Sequence, residues 1–221
     1  MRLVSMTAPA ALWIAALFLG AGRLDWPRGW FCVALYIVGM GTLAVVVHRA
    51  NAPLMEARAK WARKDTRSFD KVFFAVLLPL VYAQPALAGM DAVRFGWSRM
   101  PGVWAYGGAV LFALAMGLIT WVMAINRHAE ATVRIQSDRD HRVISSGPYR
   151  VIRHPMYVGA ILMYLATALV LGSAWALLPA CAMAACFAWR TAREDDTLRR
   201  ELPGYEDFAS RTRYRLFPGV W

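Results

Sequence analysis

Apolar residues in this chain fall in long unbroken blocks, with neither the two-residue period of a half-buried strand nor the 3.6-residue period of a surface helix. Six blocks are legible, at roughly 8–22, 30–47, 71–89, 102–125, 155–172 and 174–190. Lipid offers the backbone no hydrogen-bond partner, so a spanning segment must bond internally as a helix and be apolar all round. The blocks therefore predict an all-α, polytopic transmembrane protein with about six membrane helices. A full crossing takes about 20 residues, and the first block and the last two are shorter than that. Only Leu171-Gly172-Ser173 joins blocks five and six, which predicts a tight, partly re-entrant C-terminal helical hairpin.

Residues 48–70 are too polar to span. Leu54, Met55, Trp61 and Phe69 alternate there with many cations, the mixture of an amphipathic stretch resting on the inner leaflet. Trp26, Trp30, Trp97, Trp104 and Trp175 lie near block edges, where an amphipathic ring suits the headgroup layer. The chain then divides into 1–125, four membrane helices with the amphipathic loop, and 126–221, a polar segment followed by the terminal hairpin.

Composition agrees with the pattern. Of 221 residues 59% are apolar, against about 45–50% in soluble domains. Net charge is +11, and its placement decides what it means. Lys and Arg number one before the first block, seven in 48–71, six in 126–154 and seven in 190–221, against two in 23–29 and two in 91–101. Charge in alternate loops is the positive-inside rule, so the basic excess reads as topology and not as a nucleic-acid footprint. Both termini and the polar flanks of the hairpin then lie in the cytosol, and the Ala- and Arg-rich composition points to a bacterial inner membrane. Cys32, Cys181 and Cys186 sit inside apolar blocks with no paired spacing, as small buried hydrophobes, and no metal site is expected.

No block carries a carboxylate in its middle, which weighs against an ion pathway. Polar residues concentrate instead in Gln136–Gly159 and Arg190–Leu198, on either side of the hairpin. Pro155 suits the first position of a helix, with His154 as its cap. Free N–H groups there, strengthened by Arg153, form a site for a carboxylate or phosphate. Arg190, Glu194 and Leu198 are spaced i, i+4 and share one helix face. Taken alone, the first feature is equally a topological signal, and the second equally a surface ion pair worth under about 1 kcal/mol.

The order of residues adds to this. Arg153-His154-Pro155-Met156-Tyr157-Val158-Gly159 resembles the RHPxYxG signature of the isoprenylcysteine carboxyl methyltransferase family, which has phospholipid methyltransferase relatives. Glu194-Asp195 resembles the family's downstream acidic pair, with Asp where the second residue is usually Glu. Gly204-Tyr205, the basic run Arg211–Arg215 and Pro218 resemble its closing pattern. The likeness covers about 134–221.

The resemblance implies a cytosolic cofactor pocket and transfer of a methyl group from S-adenosylmethionine to a lipophilic, prenylated or other small-molecule acceptor entering from the bilayer. Cofactor contacts implied are Gln136, His141, Arg142, Val143, Ile144, Tyr149, His154, Pro155, Met156, Tyr157 and Glu194. Arg190 and Glu194 are the implied catalytic residues, Arg190 facing the acceptor. A carboxylate acceptor of the prenylcysteine type suits a guanidinium and needs no base. A neutral amine, as in phospholipid N-methylation, requires one, and Glu194 or Asp195 is placed for it.

Two rival classes remain. A membrane reductase of the sterol-reductase kind would use NADPH, but Gly147-Pro148-Tyr149 and Pro155 directly after His154 favour methyl transfer. A non-enzymatic scaffold would use the basic tail to bind anionic membrane lipids, and would depend on every tail arginine alike.

Overall fold

The computed structural model describes residues 2–58 and 66–221, with 2–7 as backbone only. Its α-helices are α1 (Arg2–Ala21), α2 (Pro27–Arg58), α3 (Ser68–Gly89), α4 (Val103–Ile125), α5 (Pro155–Leu171), α6 (Leu177–Glu201) and α7 (Tyr205–Arg211). Among the described residues the one β-type pairing outside helices is a parallel bridge between Ile152 and Tyr214. The fold is that of a polytopic helical membrane protein. Three helical segments, Pro27–Arg58, Ser68–Phe95 and Val103–Ile125, are long and apolar enough to cross a bilayer, while Ala8–Ala21 and Pro155–Leu171 are shorter apolar helices. The fifth block is thus short in the structure, at 17 residues, whereas α1 extends the first block back to Arg2 and is 20 residues long. α6 carries its polar residues within the same helix and runs on past Arg190 to Glu201.

The chain packs as two compact units, each drawn from three stretches. The first comprises Met1–Gly39, Ala75–Ala113 and Ile161–Ala185. Its helices meet through small residues, which let backbones approach closely where lipid offers no hydrophobic drive. A Cβ on Gly20 would strike the backbone of Ala86, and one on Gly108 would lie 2.8 Å from Val170 N and 3.0 Å from Ala166 O. At the end of α3 a π turn, Met90–Phe95, carries Asp91, which is fully buried. Its carboxylate accepts hydrogen bonds from Ser98 N and Oγ (2.6 Å each), Ser173 Oγ (2.5 Å) and Trp175 N (3.3 Å). Gly172, at φ 75°, ends α5, with its N–H and that of Ser173 both turned back to Ala168 O. Because Ser173 Oγ also accepts the N–H of Ala176, the link to α6 runs to Ala176, longer than the three residues expected.

Four of the five edge tryptophans, Trp30, Trp97, Trp104 and Trp175, are about half exposed. Trp26 departs from that expectation, lying buried with its ring edge on Phe18. Cys32 is buried as expected, but Cys181 is exposed and Cys186 half-buried on their helix.

The second unit comprises Met40–Phe74, Leu114–Ala160 and Cys186–Trp221. It changes the reading of 48–58. Residues 48–58 continue α2 across a kink at Asn51 (φ −154°, ψ 52°), with Pro53 two residues on. Proline removes an N–H and crowds the carbonyl four residues back, which breaks the ladder here without ending the helix. The Asn51 amide donates to Met123 O (2.8 Å) and Asn126 O (3.2 Å), carbonyls at the end of α4 that have no helical partner. Leu54 is fully buried in protein, where an amphipathic surface stretch would give it to lipid. Trp61, with the rest of 59–65, lies outside the described residues.

Candidate active site

The second unit contains a cleft whose floor is the polar half of α6. Arg190, Glu194 and Leu198 along it, with Leu202 just past its end, recur every fourth residue, and all four line the cleft. The segment between α4 and α5 supplies Asn126, His128, Gln136 and His141–Ile144, a 3-10 turn supplies Tyr149, and α7 adds Tyr205 and Phe208. Val143, Ile144, Met156 and Leu198 pack with Tyr149, Leu202, Tyr205 and Phe208, so one wall is apolar. The other carries Arg190 and Glu194. Such a division suits a ligand with one flat apolar part and one charged part.

Asp195, on the next face of α6, is fully buried and gathers the surrounding chain. It accepts from Arg153 Nε (2.8 Å) and Nη2 (3.1 Å), Tyr205 Oη (2.8 Å), Arg215 Nε (3.0 Å) and Arg199 Nε (3.3 Å), and His154 Nε2 lies 3.4 Å away. Burial pushes its carboxyl up, but the hydrogen bonds from His154, Arg153 and Tyr205 overcome that and hold it well below the usual carboxylate range. Burial and the Asp195 charge raise Tyr205, so its hydroxyl remains a donor. A carboxylate so saturated is no general base, which removes Asp195 from that role and makes it the clamp of the site.

Arg153 also differs from expectation. Its Nη1 donates to Thr212 O and Arg213 O (2.8 Å each), so the guanidinium is committed to the chain itself and to Asp195. The start of α5 is similarly occupied. His154 N donates to Arg215 O (3.0 Å), Tyr157 N and Val158 N both turn to His154 O, and Pro155 has no donor. Of the donors expected to hold an anion, only that of Met156 stands outside these bonds.

Arg190 is 5% exposed and pairs with Asp70 (2.9 Å), not with Glu194. It also donates to Ala131 O (2.7 Å), with its guanidinium carbon 4.5 Å from the Phe73 ring centre and 5.4 Å from that of Tyr157. The Tyr157 hydroxyl donates to Glu194, and His154 lies parallel to the Tyr157 ring.

The His128 and His141 ring centres lie 4.4 Å apart, with the ring planes tilted by 34°. Gln136 N–H donates to Nδ1 of His141 and Arg142 N–H to Nε2 of His128, so each ring accepts at one nitrogen and is neutral. Burial, the neighbouring His128 and Arg134 bring His141 down to about 4, and burial lowers His128 as well. The folded chain therefore takes up fewer protons than the unfolded one below the ordinary value of 6.5. Stability is expected to fall as pH drops from 6.5 towards 4 and to level off on this account below that. Thermal unfolding midpoints at pH 7 and pH 4.5 check this, and the drop should shrink in His141→Asn.

Of the residues singled out by sequence, Gln136, His141, Arg142, Val143, Ile144, Tyr149, His154, Met156, Tyr157, Arg190 and Glu194 all line this one cleft. Pro155 is buried and begins α5 without lining it. Gln136 is 1% exposed, its amide bonded to His128 O (2.8 Å) and Oε1 near His128 Nδ1, so it braces the histidine pair. Sequence reasoning missed His128, Asn126, whose amide donates to Tyr149 Oη (2.6 Å), and Glu130, paired with Arg134. It missed Asp70 as well. These lie in irregular chain or across long separations, where no periodicity marks them.

Among curated proteins none matches the chain. Residues 103–202, from the start of α4 to just past the end of α6, match the model of the phospholipid methyltransferase family, so the stretch that carries Gln136, Arg190 and Glu194 is similar to those enzymes.

Proposed function

We propose that this protein is an integral-membrane methyltransferase that takes a methyl group from S-adenosylmethionine and gives it to a lipophilic acceptor, a carboxylate of the prenylcysteine type, with 126–221 as the catalytic region. The observation that carries this reading is the convergence, in one cleft, of Glu194, Tyr157 and Arg190 with an apolar wall of Val143, Ile144, Leu198 and Phe208. The match of 103–202 to a methyltransferase family supports it. The positive-inside distribution of arginines supports a cytosolic face for the cleft.

The residues present fit the cofactor. The apolar wall would take adenine, and Glu194 with the Tyr157 ring would take the sulfonium and amine ends. S-adenosylmethionine supplies an electrophilic methyl group. Glu194, which accepts the Tyr157 hydroxyl, would lie beside the cation. Arg190 orients an acceptor carboxylate, and the aromatic rings around it keep water away from its lone pairs.

A phospholipid amine is the second reading. Two observations favour it: the family matched, and a guanidinium whose charge Asp70 already meets. Glu194 is then the base, since Asp195 is saturated.

Isothermal titration of the detergent-purified protein tests the activity class. S-adenosylhomocysteine is expected to bind at micromolar concentration and NADPH not at all. NADPH binding without S-adenosylhomocysteine binding would make the protein a reductase.

A further inference from the structure

Arg190 does not lie in the cleft by itself. Asp70, in the first turn of α3, is fully buried and outside the matched stretch 103–202. One of its oxygens accepts Val133 N–H (2.6 Å), and the other faces Arg190 Nη2 at 2.9 Å. That second oxygen has charge contact without hydrogen-bond alignment, and Arg190 Nε, also buried, has no partner. A buried ion pair with unmet atoms is a poor stabiliser, since desolvating both charges costs as much as their attraction returns. The pair is better accounted for by what it does to the cleft that Arg190 lines.

We infer that Asp70 is a positioning and specificity residue: it fixes where the Arg190 guanidinium points and, by meeting its charge, competes with an anionic acceptor for it. This rests on the methyltransferase reading above with a carboxylate acceptor, and a wild type that binds S-adenosylhomocysteine but does not methylate the carboxylate probe overturns it. Val133 N–H holds Asp70, Asp70 and Ala131 O hold the guanidinium, and Phe73 and Tyr157 bracket it. Arg190 Nε, buried beside this pair, is left without a partner. Without Asp70 the buried cation loses its counter-charge, so it binds a carboxylate more tightly but no longer holds it in the reactive orientation.

The test uses the full-length protein with S-farnesyl-N-acetylcysteine as the carboxylate probe and its methyl ester as the neutral control. Asp70→Asn is expected to lower KM for the carboxylate about tenfold and kcat by at least about tenfold, a split that simple loss of structure does not produce. Affinity for the methyl ester should not change. In an Arg190→Ala background, Asp70→Asn should leave carboxylate binding unaltered. An unchanged or raised KM, a parallel shift for the ester, or an equal shift without Arg190 overturns the inference. S-adenosylhomocysteine affinity, read alongside, separates the cases. If the wild type fails to bind it, the methyltransferase reading falls and this one with it. If only Asp70→Asn fails to bind it, Asp70→Glu decides: the carboxylate is kept but displaced, so kcat should fall with cofactor affinity intact, and wild-type kcat overturns the assignment.

Discussion

Asp195→Ala is expected to lower the stability of the protein by about 3–5 kcal/mol, the cost of leaving a buried charge without its partner. Arg153, 5% exposed, would keep its carbonyl contacts to Thr212 and Arg213 but have no anion. Tyr205 would lose its acceptor, and Arg199 and Arg215 their common counter-ion. Arg215→Ala is the control. Its side chain is 25% exposed and Asp195 retains Arg153 and Tyr205, so a loss under about 1 kcal/mol is expected. Denaturant or thermal unfolding in detergent measures both. Near-equal stabilities for the two variants would mean that Asp195 does not clamp the site.

On activity, Arg190→Ala or Glu194→Ala should each reduce turnover by about a hundredfold or more, the usual effect of removing a charged group aimed at reacting atoms. Arg211→Ala should leave most of it. Arg211 is exposed and its Nε reaches only Asp207 O within α7, so it stands for the tail charge that a lipid-binding scaffold would use. The measurement is transfer of label from S-adenosylmethionine into a lipid extract, followed by identification of the product. Equal losses at all three arginine and glutamate positions would favour surface charge over a site. Identification of a labelled ester or a labelled amine chooses between the two acceptor readings.

Helix content was legible because lipid imposes a strong rule: long apolar runs read as helices whatever their neighbours. Extent was less so. The expectation that a membrane helix stops where charge begins cut α2 at Val47, yet it continues to Arg58, whereas the i, i+4 face of Arg190, Glu194 and Leu198 already placed helix beyond the last apolar block, and α6 runs to Glu201. In α2, Asn51 and Pro53 are residues that usually end helices, and here the Asn51 amide is used to finish α4. The site shows the same division. Tyr157 and Glu194 were marked by motif and share a hydrogen bond. Asp70 and Arg190 pair across the chain with no spacing to announce them. Asp195, one methylene short of the usual residue, drew attention as a base, whereas its partners come from three separate segments and could be found only in the folded chain.

The segment after α7 returns to the start of α5, where Tyr214 O and Arg215 O accept Arg153 N–H (2.9 Å) and His154 N–H (3.0 Å). During synthesis the ribosome must therefore release residues 212–215 before the residues ahead of α5 can settle.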